Sequence, residues 1–115
     1  MSETKLPQIS VVVTCCNCRD YIADAIRSVA RQTLRDFECV IVDDASTDAT
    51  HAIAAGFSSV NAIRMPRHSG VAAARNRGAQ AARGAVLFFL DADVVAAPGA
   101  MRRVLVTLAR PEIGA

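Results

Sequence analysis

The chain has 115 residues, which is the length of one small domain or of a piece of a larger one. Hydrophobic residues make up 52%, enough for a core, whereas aromatics at 4% and the absence of Trp argue against a base-stacking surface for single-stranded nucleic acid. The net charge of +2 comes from scattered arginines without a polybasic tail, so nucleic acid is not expected as the main partner. We find neither an apolar run of transmembrane length nor a signal peptide, and we expect a cytoplasmic protein.

The cysteines suggest small thiols rather than a metal centre. There are four: Cys15, Cys16, Cys18 and Cys39. Three of them cluster in Cys-Cys-Asn-Cys, and a zinc site there would need a paired C-x-x-C partner or nearby histidines. Cys39 is alone inside an apolar strand, and His51 and His68 lack ligand spacing. We therefore expect reduced cysteines that are buried or line a loop.

Apolar patterning predicts strands and helices in strict alternation. β-branched and apolar runs predict strands at residues 8–14, 37–44, 60–65 and 86–90. Helical spacing predicts helices that follow Asp20, begin near residue 46, span 71–83 and span 100–109. Asp20 is the expected cap of the first helix, and residues 32–34 close that helix. Ser46 or Thr47 is the expected cap of the second helix, which ends near Gly56.

This order predicts a three-layer α/β fold, with a mostly parallel sheet and Rossmann-like alternation, forming a single domain over residues 1–115. In such sheets, ligands bind beyond the carboxyl ends of the strands. Unusual polar loops follow Thr14, Asp43 and Asp91. The chemistry is therefore expected at this edge of the sheet.

Residues 86–93 are the most informative stretch. Five apolar residues lead into Asp91 and Asp93, which predicts a strand buried on both faces in the middle of the sheet. Residues i and i+2 of a strand point to the same side, so the two carboxylates could converge on one Mg²⁺ or Mn²⁺ together with a diphosphate. The alternative is an acidic pair that caps the helix after Pro98.

Two further segments have both functional and structural interpretations. A carboxylate of Asp43 or Asp44 could accept from a nucleobase N–H or a ribose hydroxyl, or it could stabilise the N-terminus of the next helix. Gly70 allows a turn into a helix whose free N–H groups attract phosphate. Arg75 and Arg77 could bind that phosphate, or they could be solvated side chains. No G-x-G-x-x-G or Walker pattern is present, which disfavours dinucleotide and P-loop sites.

Taken together, these motifs resemble the family 2, GT-A-fold inverting glycosyltransferases. The resemblance rests on residues 9–13 with Asn17, on residues 28–33, 42–48 and 70–78, and on residues 89–93, in that order. It covers essentially the whole chain, and it implies a donor-binding half of the domain, with the acceptor half absent.

The resemblance implies roles for individual residues. Those expected to contact the nucleotide-sugar are Thr14, Cys16, Asn17, Asp43, Asp44, Arg75, Asp91 and Ala92. The acid matching Asp44 holds the base, and Asp93, with Asp91, is expected to bind Mg²⁺ or Mn²⁺. The implied partners are a nucleotide-diphosphate sugar, with a UDP-sugar as the default, and an acceptor glycan or lipid. A homo-oligomer and contact with a membrane surface are compatible with the sequence, although no segment encodes the latter.

The sequence also departs from the family pattern. An aromatic wall for the base is missing at residues 14–16, and His68 replaces a frequent Asn. The family's catalytic base is expected beyond Ala115, so we expect this chain alone to have little transferase activity.

Two alternatives remain open. Asp91 could be the phosphorylated nucleophile of a haloacid-dehalogenase-type phosphatase, although that motif normally opens its fold. The chain could also be a non-catalytic fragment that binds a nucleotide-sugar or self-associates through unpaired sheet edges.

Overall fold

The computed structural model describes residues 6–110, in which strands and helices alternate. The elements are β1 (Ile9–Cys15), α1 (Ile22–Ala30), β2 (Phe37–Asp43), α2 (Thr50–Ala55), β3 (Val60–Arg64), α3 (Val71–Ala81), β4 (Val86–Asp91) and α4 (Ala100–Leu108). The predicted order of elements is confirmed. No helix within residues 6–110 combines the length and the apolar character needed to cross a membrane.

Strand β1 is the centre of the sheet. All seven of its residues are buried, and it pairs in parallel with β2 on one side and β4 on the other, giving the strand order β3-β2-β1-β4. Val11 and Val13 face a core that includes residues of α1, α2 and α4. Val12 faces the opposite side, where it packs with Val40 and with Ala74 of α3. The predicted three-layer architecture, with a parallel sheet between helices, is therefore confirmed.

Strand β4 differs from its prediction. It is an edge strand in the described part of the chain, and only one of its faces is buried. Leu90 packs into the core beside β1, whereas Leu87 and Phe89 on the other face are 39% and 43% exposed. The prediction of a strand buried on both faces was wrong, because an apolar run shows what a strand could bury and not which neighbours it has.

The two predicted helix caps were also wrong. Helix α1 begins at Ile22 without a side-chain cap, and Asp20 instead lies 3.8 Å from the guanidinium of Arg19. Helix α2 begins only at Thr50, because the hydroxyl of Ser46 is engaged elsewhere, as described below. The predicted C-cap at Gly56 is confirmed.

Residues 32–34 lie beyond the end of α1, and Gln32 has a different role from the predicted helix closure. Its buried amide donates from Nε2 to the carbonyl of Ala97 at 2.7 Å. Its Oε1 accepts from the N–H of Met101 at 3.0 Å. Gln32 thus links the start of α4 to the end of α1. Its partner Ala97 lies in the segment that follows Asp91 and Asp93.

We expect Gly78 to be required for the contact between α3 and the sheet. A Cβ at this position would collide with Cγ1 of Val12 and lie 3.2 Å from Cγ2 of Val42. Gly78→Ala should therefore lower the free energy of unfolding by about 1–3 kcal/mol, measured by urea denaturation. Gly99→Ala is the matched control, because its added Cβ would have no neighbour within 4 Å. Equal stability of the two variants would contradict this packing.

We expect the exposed face of β4 to cause self-association of the 115-residue chain. Edge strands with exposed apolar side chains pair with other molecules unless charge prevents it. Light scattering should show a mass that rises with concentration. The double variant Leu87→Lys and Phe89→Lys should lower that mass, whereas Val106→Lys on α4, at a residue 59% exposed, should not. A wild-type chain that is monomeric at all concentrations would refute the prediction.

Candidate functional site

A cavity of about 370 Å³ opens at the carboxyl edge of the sheet. Its walls come from the ends of β1 and β4, the residues after β2, the loop between β3 and α3, and α3 itself. The lining residues are Thr14, Cys15, Cys16, Cys18, Asp44, His68, Val71, Ala74, Asp91, Ala92 and Asp93. The cavity therefore lies where a parallel α/β sheet places its ligands.

The acidic pair lies on the β4 side of this cavity. Asp91 is the last residue of β4 and pairs in register with Thr14 of β1. Asp93 follows in a turn, so the two carboxylates reach one cavity through the turn and not through strand alternation alone. Asp91 Oδ1 lies 3.5 Å from Nη2 of Arg75, which brings a helical cation to the cavity rim.

The acidic pair supplies an incomplete ligand set for a metal ion. No group of three or more His, Cys, Asp or Glu side chains within residues 6–110 is placed to hold a metal ion. Two carboxylates are nevertheless hard oxygen donors of the kind that Mg²⁺ and Mn²⁺ prefer, and Mg²⁺ usually adds substrate phosphates and water to one or two carboxylates. The residues present therefore fit a divalent metal only together with a diphosphate.

Asp44 forms the opposite side of the cavity and is almost fully buried. Its Oδ1 accepts from the N–H of Ser69 and its Oδ2 from the N–H of Gly70, both at 2.8 Å. Oδ2 also lies 3.0 Å from Nδ1 of His68. The carboxylate thus holds the loop between β3 and α3 against the end of β2.

Asp43 lies behind the cavity wall and does not line it. Its buried carboxylate accepts from both the N–H and the hydroxyl of Ser46, and its Oδ2 lies 3.4 Å from Nη1 of Arg64. Arg64 also donates from Nη2 to the carbonyl of Ser46 at 2.9 Å. These contacts give Asp43 the role of shaping the loop that follows β2.

Asn17 joins the loops after β1 and β2. Its backbone lies in the left-handed region with φ 52°, which Asn tolerates better than most residues. Its N–H donates to Oγ of Ser46, and its Oδ1 accepts from the N–H of Thr47, both at 2.8 Å. Asn17 therefore stabilises the cavity wall from outside the lining.

A thiol and an imidazole lie next to each other on that wall. Cys16 Sγ is 3.7 Å from Nδ1 of His68 and 3.5 Å from the carbonyl oxygen of Asp44. Burial, and then the charge of Asp44, raises the pKa of the Cys16 thiol. Burial, and then the charge of Asp43, raises the pKa of the Cys15 thiol to about 12. Both thiols are therefore protonated at neutral pH and are poor nucleophiles.

The structure brings together most of the residues predicted for the site. Those that line the cavity are Thr14, Cys16, Asp44, Asp91, Ala92 and Asp93. Arg75 contacts this group through Asp91, whereas Asn17 and Asp43 support it from behind. The residues missed were Cys15, Cys18, His68, Val71 and Ala74. The position of His68, just after the third strand, was the signal that could have found it.

Residues 10–114 match the family model described as Glycosyl transferase family 2. The chain belongs to this family. The match favours a glycosyltransferase over the phosphatase alternative for Asp91. Over 103 residues, the chain is 39% identical to the succinoglycan biosynthesis protein ExoO of Rhizobium meliloti (strain 1021), covering 88% of this chain and 30% of that protein. It is 36% identical over 116 residues to the validoxylamine A glucosyltransferase of Streptomyces hygroscopicus subsp. jinggangensis (strain 5008), covering 96% of this chain and 28% of that protein.

Solved structures similar to this chain show the same fold. TarS 1–349 of S. aureus in complex with UDP superposes with a TM-score of 0.81 at 27% identity, over 88% of this chain and 32% of that one. The mannosyltransferase PcManGT of Pyrobaculum calidifontis, in complex with GDP-Man and Mn²⁺, gives 0.86 at 25% identity, over 94% and 34%. The chain thus has the GT-A fold, and it spans about a third of the length of the relatives it matches.

We expect the Asp43 network to contribute to stability. Asp43→Asn keeps the shape of the side chain but removes the charge that Ser46 and Arg64 contact. The variant should lose about 1–3 kcal/mol of unfolding free energy in urea denaturation, because buried hydrogen bonds to a charged group are weakened. Asp20→Asn is the control, since its side chain is 81% exposed. A loss no larger than that of the control would show that Asp43 is not the support of the loop.

Proposed function

We propose that the chain forms the donor-binding part of a glycosyltransferase that transfers a sugar from a nucleotide-diphosphate sugar to an acceptor hydroxyl with inversion. One observation carries the proposal: a single cavity at the carboxyl edge of the sheet combines Asp44 on one side with Asp91 and Asp93 on the other. Asp44 follows β2 and the acidic pair lies at the end of β4, so the acids stand on opposite sides of β1. This arrangement suits a ligand with a nucleobase at one end and a diphosphate at the other.

The acidic pair is the proposed metal-binding part of this site. Asp93 and Asp91 would hold Mg²⁺ or Mn²⁺ together with the diphosphate oxygens, since the two carboxylates alone leave most coordination positions open. When bound, such a cation neutralises the charge that develops on a departing diphosphate. The Mn²⁺ and GDP-Man present in the PcManGT structure support this assignment.

Two features of α3 would add to diphosphate binding. Arg75 already lies 3.5 Å from Asp91, so its guanidinium is within reach of an anion beside that carboxylate. Val71, the first residue of α3, lines the cavity, so the free N–H groups of the first helical turn lie at its edge. A guanidinium and a helix N-terminus both favour the negative charge of a leaving diphosphate.

Inversion also requires a base that deprotonates the acceptor hydroxyl. The acids that line the cavity already have other proposed roles. Asp44 is assigned to the nucleobase, and Asp91 and Asp93 are assigned to the diphosphate and the metal. We infer that the catalytic base and the surface for an acceptor glycan or lipid belong to a part of the enzyme outside the 115 residues of this chain. This agrees with the short share of its relatives that the chain covers. The chain alone should therefore bind the donor nucleotide without efficient transfer.

Titration calorimetry of the 115-residue chain tests the proposal. UDP and GDP are titrated with Mn²⁺, with Mg²⁺ and with excess chelator, and we expect binding that strengthens at least ~10-fold with a divalent cation. Binding of neither nucleotide, with or without metal, would overturn the proposal.

A carboxamide variant tests the proposed metal-binding role of Asp93. Asp93→Asn should remove most of the metal-dependent gain, because an amide oxygen is a much weaker ligand for a hard cation. Asp20→Asn, on the exposed surface away from the cavity lining, is the matched control and should behave like the wild type. An unchanged metal dependence in Asp93→Asn would place the cation elsewhere.

A further inference from the structure

Another cavity, of about 480 Å³, lies on the surface of α4, and its chemistry differs from that of the cavity at the carboxyl edge of the sheet. Arginine side chains dominate its lining, which consists of Gly99, Arg102, Arg103, Val106, Thr107 and Arg110. No acidic side chain among residues 6–110 lines it, and the sequence has no Asp or Glu in residues 94–111. This face of α4 therefore concentrates positive charge that no neighbouring carboxylate in the lining balances.

We propose that the α4 stripe, formed by Arg102, Arg103, Val106 and Arg110, is a docking site for the surface of an anionic lipid bilayer. No segment for membrane contact is evident in the sequence, because the four residues are spread over nine positions of an otherwise ordinary helix. They come together because residues three or four apart lie on the same face of a helix. The proposal concerns a surface different from the cavity that holds the acidic pair, and it does not depend on what that cavity binds.

Helix stability does not explain the arginines of the stripe. Arg102 and Arg103 lie in the first turn of α4, where the helix dipole favours negative charge, and this turn holds no acidic residue. Arg102 is also held in position, since its Nη2 donates to the carbonyl of Thr33 at 3.2 Å. The charge is therefore locally unfavourable for the helix and yet fixed at the surface, which is the arrangement expected of a group with an anionic partner.

The dimensions of the stripe favour an extended surface over a small anion. Arg102, Val106 and Arg110 follow one another at four-residue spacing, and Arg110 lies just past the last residue of α4. At the helical rise per residue, the stripe is about 12 Å long. A single phosphate cannot contact both of its ends, whereas a row of lipid headgroups can. Guanidiniums also bind phosphate oxygens in pairs, which suits the phosphodiesters of such a row.

The centre of the stripe is apolar, which favours a bilayer over an acidic protein. Val106 is 59% exposed and lies one turn from Arg102. Apolar side chains combined with cations are typical of helices that lie in the membrane interface, where the apolar groups enter the boundary between headgroups and acyl chains. The opposite face of α4 is fixed to the protein, since Met101 is buried in the core. Helix α4 thus presents the stripe as a rigid face.

Flotation with lipid vesicles tests the proposal, because aggregated protein stays at the bottom of the gradient. The 115-residue chain should bind vesicles of equal parts phosphatidylglycerol and phosphatidylcholine about 10-fold more tightly than vesicles of phosphatidylcholine alone. Arg103→Glu and Arg110→Glu should each remove most of this preference. Arg67→Glu is the matched control, because Arg67 is exposed, lies outside the stripe and changes the net charge equally.

Fluorescence gives a direct readout of contact. Because the chain has no Trp, Val106→Trp places a single indole in the stripe, and its emission should shift to shorter wavelength on anionic vesicles. The emission of Gln80→Trp, at an exposed residue of α3, should not shift. A wild type without preference for anionic vesicles, or an equal loss in Arg103→Glu and Arg67→Glu, would overturn the proposal. Binding to polyglutamate with none to vesicles would also overturn it, in favour of an acidic protein partner.

Discussion

The parallel pairing of β1 with both β2 and β4 is the constraint on which the rest of the structure depends. Because all the strands run in the same direction, their carboxyl ends meet at one edge, and residues far apart in the chain become neighbours there. Thr14 aligns with Val42 on one side and with Asp91 on the other. The cavity lies where these strand ends meet, beside the fully buried strand β1.

The site relies on polar residues that hold the loops in place as much as on those that face the cavity. Asn17 and Ser46 connect the loops after β1 and β2, while Asp43 supports the second of these loops from the core side. Asp44 does the same for the loop after β3. Buried carboxylates that accept several hydrogen bonds fix a loop before any ligand arrives, and such preorganisation lowers the cost of binding.

Sequence patterns predicted the elements well and their surroundings less well. Period-two and apolar runs identified every strand of the described chain to within two residues at either end, because backbone geometry imposes that period locally. The prediction failed for the burial of Leu87 and Phe89, since burial depends on whether a neighbour covers the strand. It also failed for Asp20 and Ser46 as helix caps, because capping competes with contacts to residues distant in sequence.

The sequence by itself determined the α/β class, the family and the set of acids at the carboxyl edge, because these follow from local periodicity and from motifs that lie within a few residues of one another. Only the tertiary structure decided which of those acids face the cavity. Asp43 and Asp44 are adjacent in the chain, yet one supports a loop from behind and the other lines the wall. The difference arises because successive residues at a strand end point to opposite sides, and their partners come from loops that only folding brings near.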